Sequence, residues 1–234
     1  MAHSSLRAVH ARPASHSVRK HRPLRCEALE SRRLLAAESF GSTSLVNELT
    51  VRLQSTSVGG GSVATSDSST VVAFTGKGPT DDLGVYARRF DADFSPLGSA
   101  FRVNATRPEA QYDPVVAMHV DGSFVIAWAG RGSGDQQGVF FQRYDANGAP
   151  LGGETLVNVT RGGVQDQPAV AVDSDGTFAI AWHGVGLEDV DGVFWRRFAA
   201  NGVATTPEIR VNSHFADEQV RPSLAIANDG TTLV

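Results

Sequence analysis

The chain carries a single cysteine, Cys26, so it forms no internal disulfide and holds no cysteine-based zinc cluster. It has no apolar run close to the roughly 20 residues that a membrane-spanning helix needs. An ordinary secretory signal would show an apolar stretch of about 7–15 residues behind its basic segment, and Leu34-Leu35-Ala36-Ala37, the longest there, is too short. Net positive charge is lacking as well: the formal charge is −4, and beyond residue 37 there are 13 basic against 23 acidic groups. Phosphate binding needs clustered cations, so nucleic acid is excluded as a partner of this body.

Residues 1–37 have the opposite balance, eight Lys/Arg against two Glu, scattered among Ser, Ala, Pro and four histidines. Such a mixture buries too little apolar surface to order itself, so residues 1–38 read as a disordered basic head and 39–234 as the folded body. Irregular spacing makes His3, His10, His16 and His21 composition and not a metal site. Within the head, Leu29-Glu30-Ser31-Arg32-Arg33-Leu34-Leu35-Ala36 resembles the Leu-Glu-x-Arg-x-Leu-Leu-Ala motif found near the N-terminus of many planctomycete surface and extracellular proteins. The resemblance implies export to the cell surface or beyond.

The body repeats itself every 54 residues without a gap. Gly84, Gly138 and Gly192 fall in register, as do Asn104, Asn158 and Asn212, and Gln111, Gln165 and Gln219. So do Pro114, Pro168 and Pro222, and the pairs Asp121-Gly122, Asp175-Gly176 and Asp229-Gly230. A fixed period of this length implies stacked copies of one supersecondary unit. In each copy an Asp-Gly separates two apolar β-rich runs, such as Pro168 to Val172 and Thr177 to Trp182, which predicts a hairpin of strands a and b. An acidic, Gly-rich loop, His183 to Asp191, then leads to strand c, Gly192 to Phe198. A turn at Asn201-Gly202 leads to strand d, Glu208 to Asn212.

Strands a and b are apolar on both faces while strand d alternates, a gradient expected of propeller blades sandwiched between neighbours. The fold class is therefore all-β, built of tandem four-stranded antiparallel units and β-propeller-like. About three and a half units are present: the first is degenerate, with Gly59-Gly60-Gly61 in place of the Asp-Pro region, and Val234 falls inside a strand b. A chain of this kind is either a piece of something longer or uses strands around Leu45 to Leu53 to complete its last unit.

The stretches Asp121 to Trp128, Gly138 to Asp145 and Leu156 to Asn158, with their 54-residue counterparts, resemble a bacterial repeat of long surface, adhesin-like and calcium-binding secreted proteins. That resemblance implies a surface protein and says little of activity. Acids recur in the loop before strand c, at Asp81, Asp135 and Asp189, with Asp82, Glu188 and Asp191 nearby. Ca²⁺ takes oxygen ligands from such loops, so Asp135, Asp189 and Asp191 are the candidate metal residues, although no regular Asp-x-Asp-x-Asp-Gly spacing is present. Tyr86, Phe140 and Phe194, with Arg88, Gln142 and Arg196, line one face of strand c and fit either a carbohydrate platform or packing between units. The repeats supply no nucleophile beside a base and no carboxylate pair that occurs only once. The expectation is an exported structural or adhesive module without enzymatic activity, with a surface glycan or protein as partner. The alternative is a carbohydrate-binding or glycan-processing propeller.

Overall fold

The structure, a computed structural model, describes residues 46, 54–57, 60–77, 83–107, 109–214, 219–227 and 229–234. The basic head with its export-type motif lies outside the described residues, as do Leu45, residues 47–53, Asp81 and Asp82. Every regular element among the described residues is a strand. The first repeat holds β1 (Gln54–Ser55), β2 (Val63–Thr65), β3 (Ser69–Gly76), β4 (Gly84–Asp91) and β5 (Phe101–Arg102). The second holds β6 (Gln111–Met118), β7 (Phe124–Gly132), β8 (Asp135–Tyr144) and β9 (Thr155–Leu156). The third holds β10 (Gln165–Val172), β11 (Phe178–Gly186), β12 (Asp189–Phe198) and β13 (Ile209–Arg210), and the fourth β14 (Ala225–Ile226) and β15 (Thr232–Leu233).

Repeats two and three are antiparallel meanders, β6-β7-β8-β9 and β10-β11-β12-β13, so the chain is all-β and propeller-like as its period implies. The first repeat keeps the order β3-β4-β5 but splits its strand a into β1 and β2, which both pair with β3. Its hairpin is also one residue shorter: Thr65 pairs with Thr70, whereas Met118 pairs with Phe124. Without a glycine at this turn, Asp67 sits in a tighter loop than Asp121, and strand a slides by one residue against its counterparts.

The other a–b turns are copies of one another. Gly122, Gly176 and Gly230 adopt φ of 88°, 81° and 81°, and their N–H groups donate to His119 O, Asp173 O and Ala227 O. Each preceding Asp accepts from the N–H two residues on, at 2.8, 2.8 and 2.9 Å. This is a type I turn closed by a left-handed glycine bulge, which explains the recurring Asp-Gly. Ser123 and then His119 hold the Asp121 carboxyl down at about 2. The c–d turns repeat the pattern with Gly148 and Gly202 left-handed; in the first repeat Phe94 takes that conformation, at φ 58°.

The expected acidic loop between strands b and c is instead a continuation of the hairpin. β11 runs to Gly186 and β12 starts at Asp189, these two residues pair, and only Leu187 and Glu188 form the turn. Glycine permits this: a Cβ at Gly132 or Gly186 would fall 2.3 or 2.2 Å from the ring of Phe140 or Phe194, so the strand crosses directly over an aromatic face.

Two cores lie between the sheets. Phe124, Ile126, Trp128, Phe140 and Tyr144 pack against Val71, Ala73, Val85 and Ala87 of the first repeat. Phe178, Ile180, Trp182, Phe194 and Phe198 pack against Val115, Val125, Ala127 and Phe141 of the second. Even-numbered residues of β7 and β11 thus face backward and odd-numbered ones forward, which is why both faces of strand b are apolar.

Candidate functional site

The recurring polar residues are joints between repeats. Asn158 Oδ1 accepts from Val139 N–H at 2.9 Å, while its Nδ2 donates to Thr160 O at 2.8 Å, Gln165 Oε1 at 3.3 Å and Asp135 Oδ2 at 2.8 Å. Asn212 repeats the set with Val193, His214, Gln219 and Asp189, and Asn104 repeats it with Val85, Thr106 and Gln111. Each Asn lies two residues beyond the fourth strand of one repeat, Gln111 and Gln165 begin the first strand of the next and Gln219 precedes β14, so one amide pair ties neighbours together. Asn104 and Asn158 are buried. A second joint has no counterpart in the sequence reading. Glu154 accepts from Ala105 N–H and the Thr106 hydroxyl, and Glu208 does the same for Val159 and Thr160.

Asp135 and Asp189 therefore sit at the start of strand c, both buried, each accepting an Asn amide on one oxygen and the N–H two residues on with the other. Asp191 lies two residues along the same hairpin with its Oδ1 on His183. Among the described residues no three His, Cys, Asp or Glu side chains converge as metal ligands would. Tyr86, Phe140 and Phe194 are buried and stacked on Phe74, Trp128 and Trp182, so that face of strand c is packing and not a sugar platform. His119 packs in the a–b turn, with Nε2 2.9 Å from Ser174 O of the next repeat.

Several residues that the period does not explain collect at one end, where strands a begin, strands b end and strands c begin. Asp113, Gln167 and Arg221 occupy one register position, each just before the recurring proline, and all three are left-handed, with φ of 52°, 50° and 59°. A non-Gly residue in this region is strained by roughly 1–2 kcal/mol, and glycine would relieve it. The backbone recurs while the side chain changes from acid to amide to cation. Gln167 Oε1 accepts Arg221 N–H at 2.8 Å, and a cavity of about 190 Å³ is lined from all four repeats, by Gly60, Val115, Gln167, Pro168, Arg221 and Pro222 among others.

One residue earlier the position varies again: Tyr112, Asp166, Val220. Burial, then the negative charges of Asp166 and Asp113, push the Tyr112 hydroxyl above its ordinary range, so two carboxylates from adjacent inner strands act on one phenol. Behind Asp166 stands His183, with Nδ1 2.9 Å from Asp166 Oδ1 and Nε2 2.9 Å from Asp191 Oδ1. Its repeat-two counterparts are Tyr112, Ala129 and Gln137, so this acid–imidazole–acid line occurs once. The sequence reading missed it because Asp166, His183 and Asp191 are spread over 26 positions and meet only through the tight hairpin. Burial opposes charge on His183, but the two carboxylates outweigh it and raise its pKa. Chemically, the mouth offers carboxylates, an amide and a phenol, groups that bind vicinal hydroxyls and move protons.

No family profile and no curated protein matches the chain. Solved structures do. One is a GH43_1 enzyme from Xanthomonas citri complexed with xylotriose, at 13% identity over 74% of this chain and 56% of that one, TM-score 0.42. Another is an endo-arabinase from Bacteroides thetaiotaomicron VPI-5482, at 15% identity over 73% and 66%, TM-score 0.43. A third is an alpha-L-arabinofuranosidase from Lactobacillus brevis, at 12% identity over 72% and 61%, TM-score 0.43. The chain thus spans 56–66% of the length of these three. All three neighbours are enzymes by name, which runs against the expectation of a chain without enzymatic activity; at 12–15% identity and TM-scores of 0.42–0.43 the likeness assigns no activity to this chain.

Proposed function

We propose that the chain is a carbohydrate-binding and glycan-processing propeller-type module, with its ligand at the mouth formed by the starts of β6 and β10. The observation that carries this reading is the gathering of seven non-repeating polar groups, Tyr112, Asp113, Asp166, Gln167, His183, Asp191 and Arg221, at one end of the sheets. Recurring residues are explained by the recurring backbone, whereas strained, varied and partly exposed ones need another reason. In this reading Asp113 and Asp166 are the acid–base pair that meets the sugar, Gln167 and Arg221 supply hydroxyl contacts, and the basic head serves export to the cell surface.

The test is a panel of neutral and acidic oligosaccharides, xylotriose included, followed by calorimetry for binding and by reducing-end release for cleavage. Asp113→Asn and Asp166→Asn should each lower affinity or turnover about tenfold or more while the fold is kept. Full binding and cleavage by both variants, or no glycan response by the native chain, would remove the proposal.

A further inference from the structure

We propose that His183 is a positioning residue: as an imidazolium it joins Asp191 of the third b–c hairpin to Asp166 and so fixes the carboxylate that a ligand at the mouth meets. The inference rests on the reading of that mouth as a glycan site, and deepens it.

A carboxylate only accepts hydrogen bonds, and each ring nitrogen of His183 faces one at 2.9 Å. Neutral imidazole has one N–H and would set its remaining lone pair against a carboxylate oxygen. The doubly protonated ring satisfies both contacts. The His183 side chain is 8% exposed, so little water competes, while Asp166 and Asp191 are 22% and 49% exposed and keep access to solvent. The charges acting on the ring are those of Asp166 and Asp191. Among the described residues, other titratable or charged groups at this end include Asp189 and Glu188 on the same hairpin, Tyr112, Asp113, Asp135 and the Arg131–Glu109 pair of the second repeat, and His214 and Arg221 beyond β13.

The bridge is not a requirement of the hairpin. In the second repeat the same hairpin closes in the same register, Gly130 on Gly138 and Gly132 on Asp135, with Ala129 where His183 stands. The third repeat thus carries a cation that the backbone can do without. Its position explains its use: β11 lies between β10 and β12, and only a side chain on the middle strand can span from the start of one to the start of the other. When the ring loses its second proton, one of the two contacts becomes repulsive, Asp191 is free to turn to water and Asp166 loses its anchor.

The experiment compares the full native chain with His183→Ala, which installs the repeat-two residue, and His183→Gln, across about pH 5 to 9. The ring titration of His183 is read by NMR, amide protection by hydrogen exchange at residues 187–191, and affinity for xylotriose and the other oligosaccharides by calorimetry. In the native chain the ring should titrate above its ordinary 6.5, and hairpin protection should fall about tenfold through the same midpoint. In both variants that pH dependence should vanish, and affinity at the acid end should fall about tenfold. A midpoint at or below 6.5, or a pH dependence of hairpin protection that persists in His183→Ala, overturns the inference. Unchanged affinity in both variants overturns it while leaving the glycan site intact. If no oligosaccharide binds any of the three proteins, the glycan reading fails, and the titration and exchange results still decide whether His183 joins Asp191 to Asp166.

Discussion

Asn158→Ala is the sharpest probe of how the repeats are joined. The side chain is 3% exposed and makes four hydrogen bonds, to Val139 N–H, Thr160 O, Gln165 Oε1 and Asp135 Oδ2. Removing it strands groups on both sides of the joint. Val139 and Gln165 are both 0% exposed, so water cannot replace the lost partner at either. An orphaned buried polar group costs about 1–3 kcal/mol, and two of them give about 2–6 kcal/mol. Gln165 keeps its Nε2 bonds to Gly162 O and Val185 O, which holds its amide in place and prevents it from turning to recover. Against a total stability of about 5–15 kcal/mol this is a large share. Urea unfolding at constant m-value measures it directly. Thr160→Val, which removes only the half-buried hydroxyl that donates to Glu208, is the control and should cost under about 1.5 kcal/mol. Asn158→Asp adds a pH signature: the new carboxylate replaces a donor facing Asp135, so the loss should be largest near neutrality and shrink on acidification. A loss below about 1 kcal/mol for Asn158→Ala would refute the claim that this amide ties the repeats together.

Three further outcomes follow from single residues. Phe94→Gly removes a left-handed aromatic from the first c–d turn, where the other repeats have glycine; relief of about 1–2 kcal/mol of strain against about 0.4–1 kcal/mol of added chain entropy predicts a small rise in melting temperature, and a fall would count against it. The raised His183 pKa has a definite sign: its contribution is complete below the unfolded value of 6.5 and is lost as pH rises through the higher folded value, so native stability should decline over that window and His183→Ala should flatten the profile. For calcium, a site with a dissociation constant of about 10⁻⁴–10⁻³ M would add about 1.4–2.7 kcal/mol at about 10 mM. With Asp135 and Asp189 already accepting amide and backbone donors, Ca²⁺ should raise the melting temperature no more than Mg²⁺ at equal ionic strength, and a clear calcium advantage abolished by Asp189→Asn would show otherwise.

The period carried most of the architecture into the sequence, because every joint is made by residues that must recur. Gly122, Gly176 and Gly230 announce their turns through a backbone geometry that few other residues reach, and the Asn–Gln pairs announce the junctions. The b–c segment was less legible. Gly, Asp and Glu in a row look like a solvated loop, and only the packing of Gly132 and Gly186 over Phe140 and Phe194 shows that the strands continue to a two-residue turn. That difference of a few residues is what brings Asp191 beside His183. The Glu154 and Glu208 joints were also hidden, since their partners lie 48 or 49 positions earlier and a lone glutamate before a strand has no local signature.

The mouth illustrates why a repeat hides its own function. Alignment of copies rewards what is shared, and the shared residues here do structural work that the hydrogen bonds account for. Function, if it needs one asymmetric set of groups, must be written where the copies disagree. At the residue before each proline the disagreement is greatest, Asp113, Gln167 and Arg221, and it coincides with a backbone conformation that penalises all three side chains. Selection for stability alone would place glycine there, as it does at the a–b turns of the last three repeats. Replacing Gln167 with glycine separates the two pressures: stability should change by less than about 1 kcal/mol, because strain relief offsets the hydrogen bond lost to Arg221 N–H and the added chain entropy, while ligand affinity at the mouth should fall about tenfold. If affinity is unchanged and stability drops by more than about 1 kcal/mol, the strained residue serves the fold and the varied positions lose their claim to be the site.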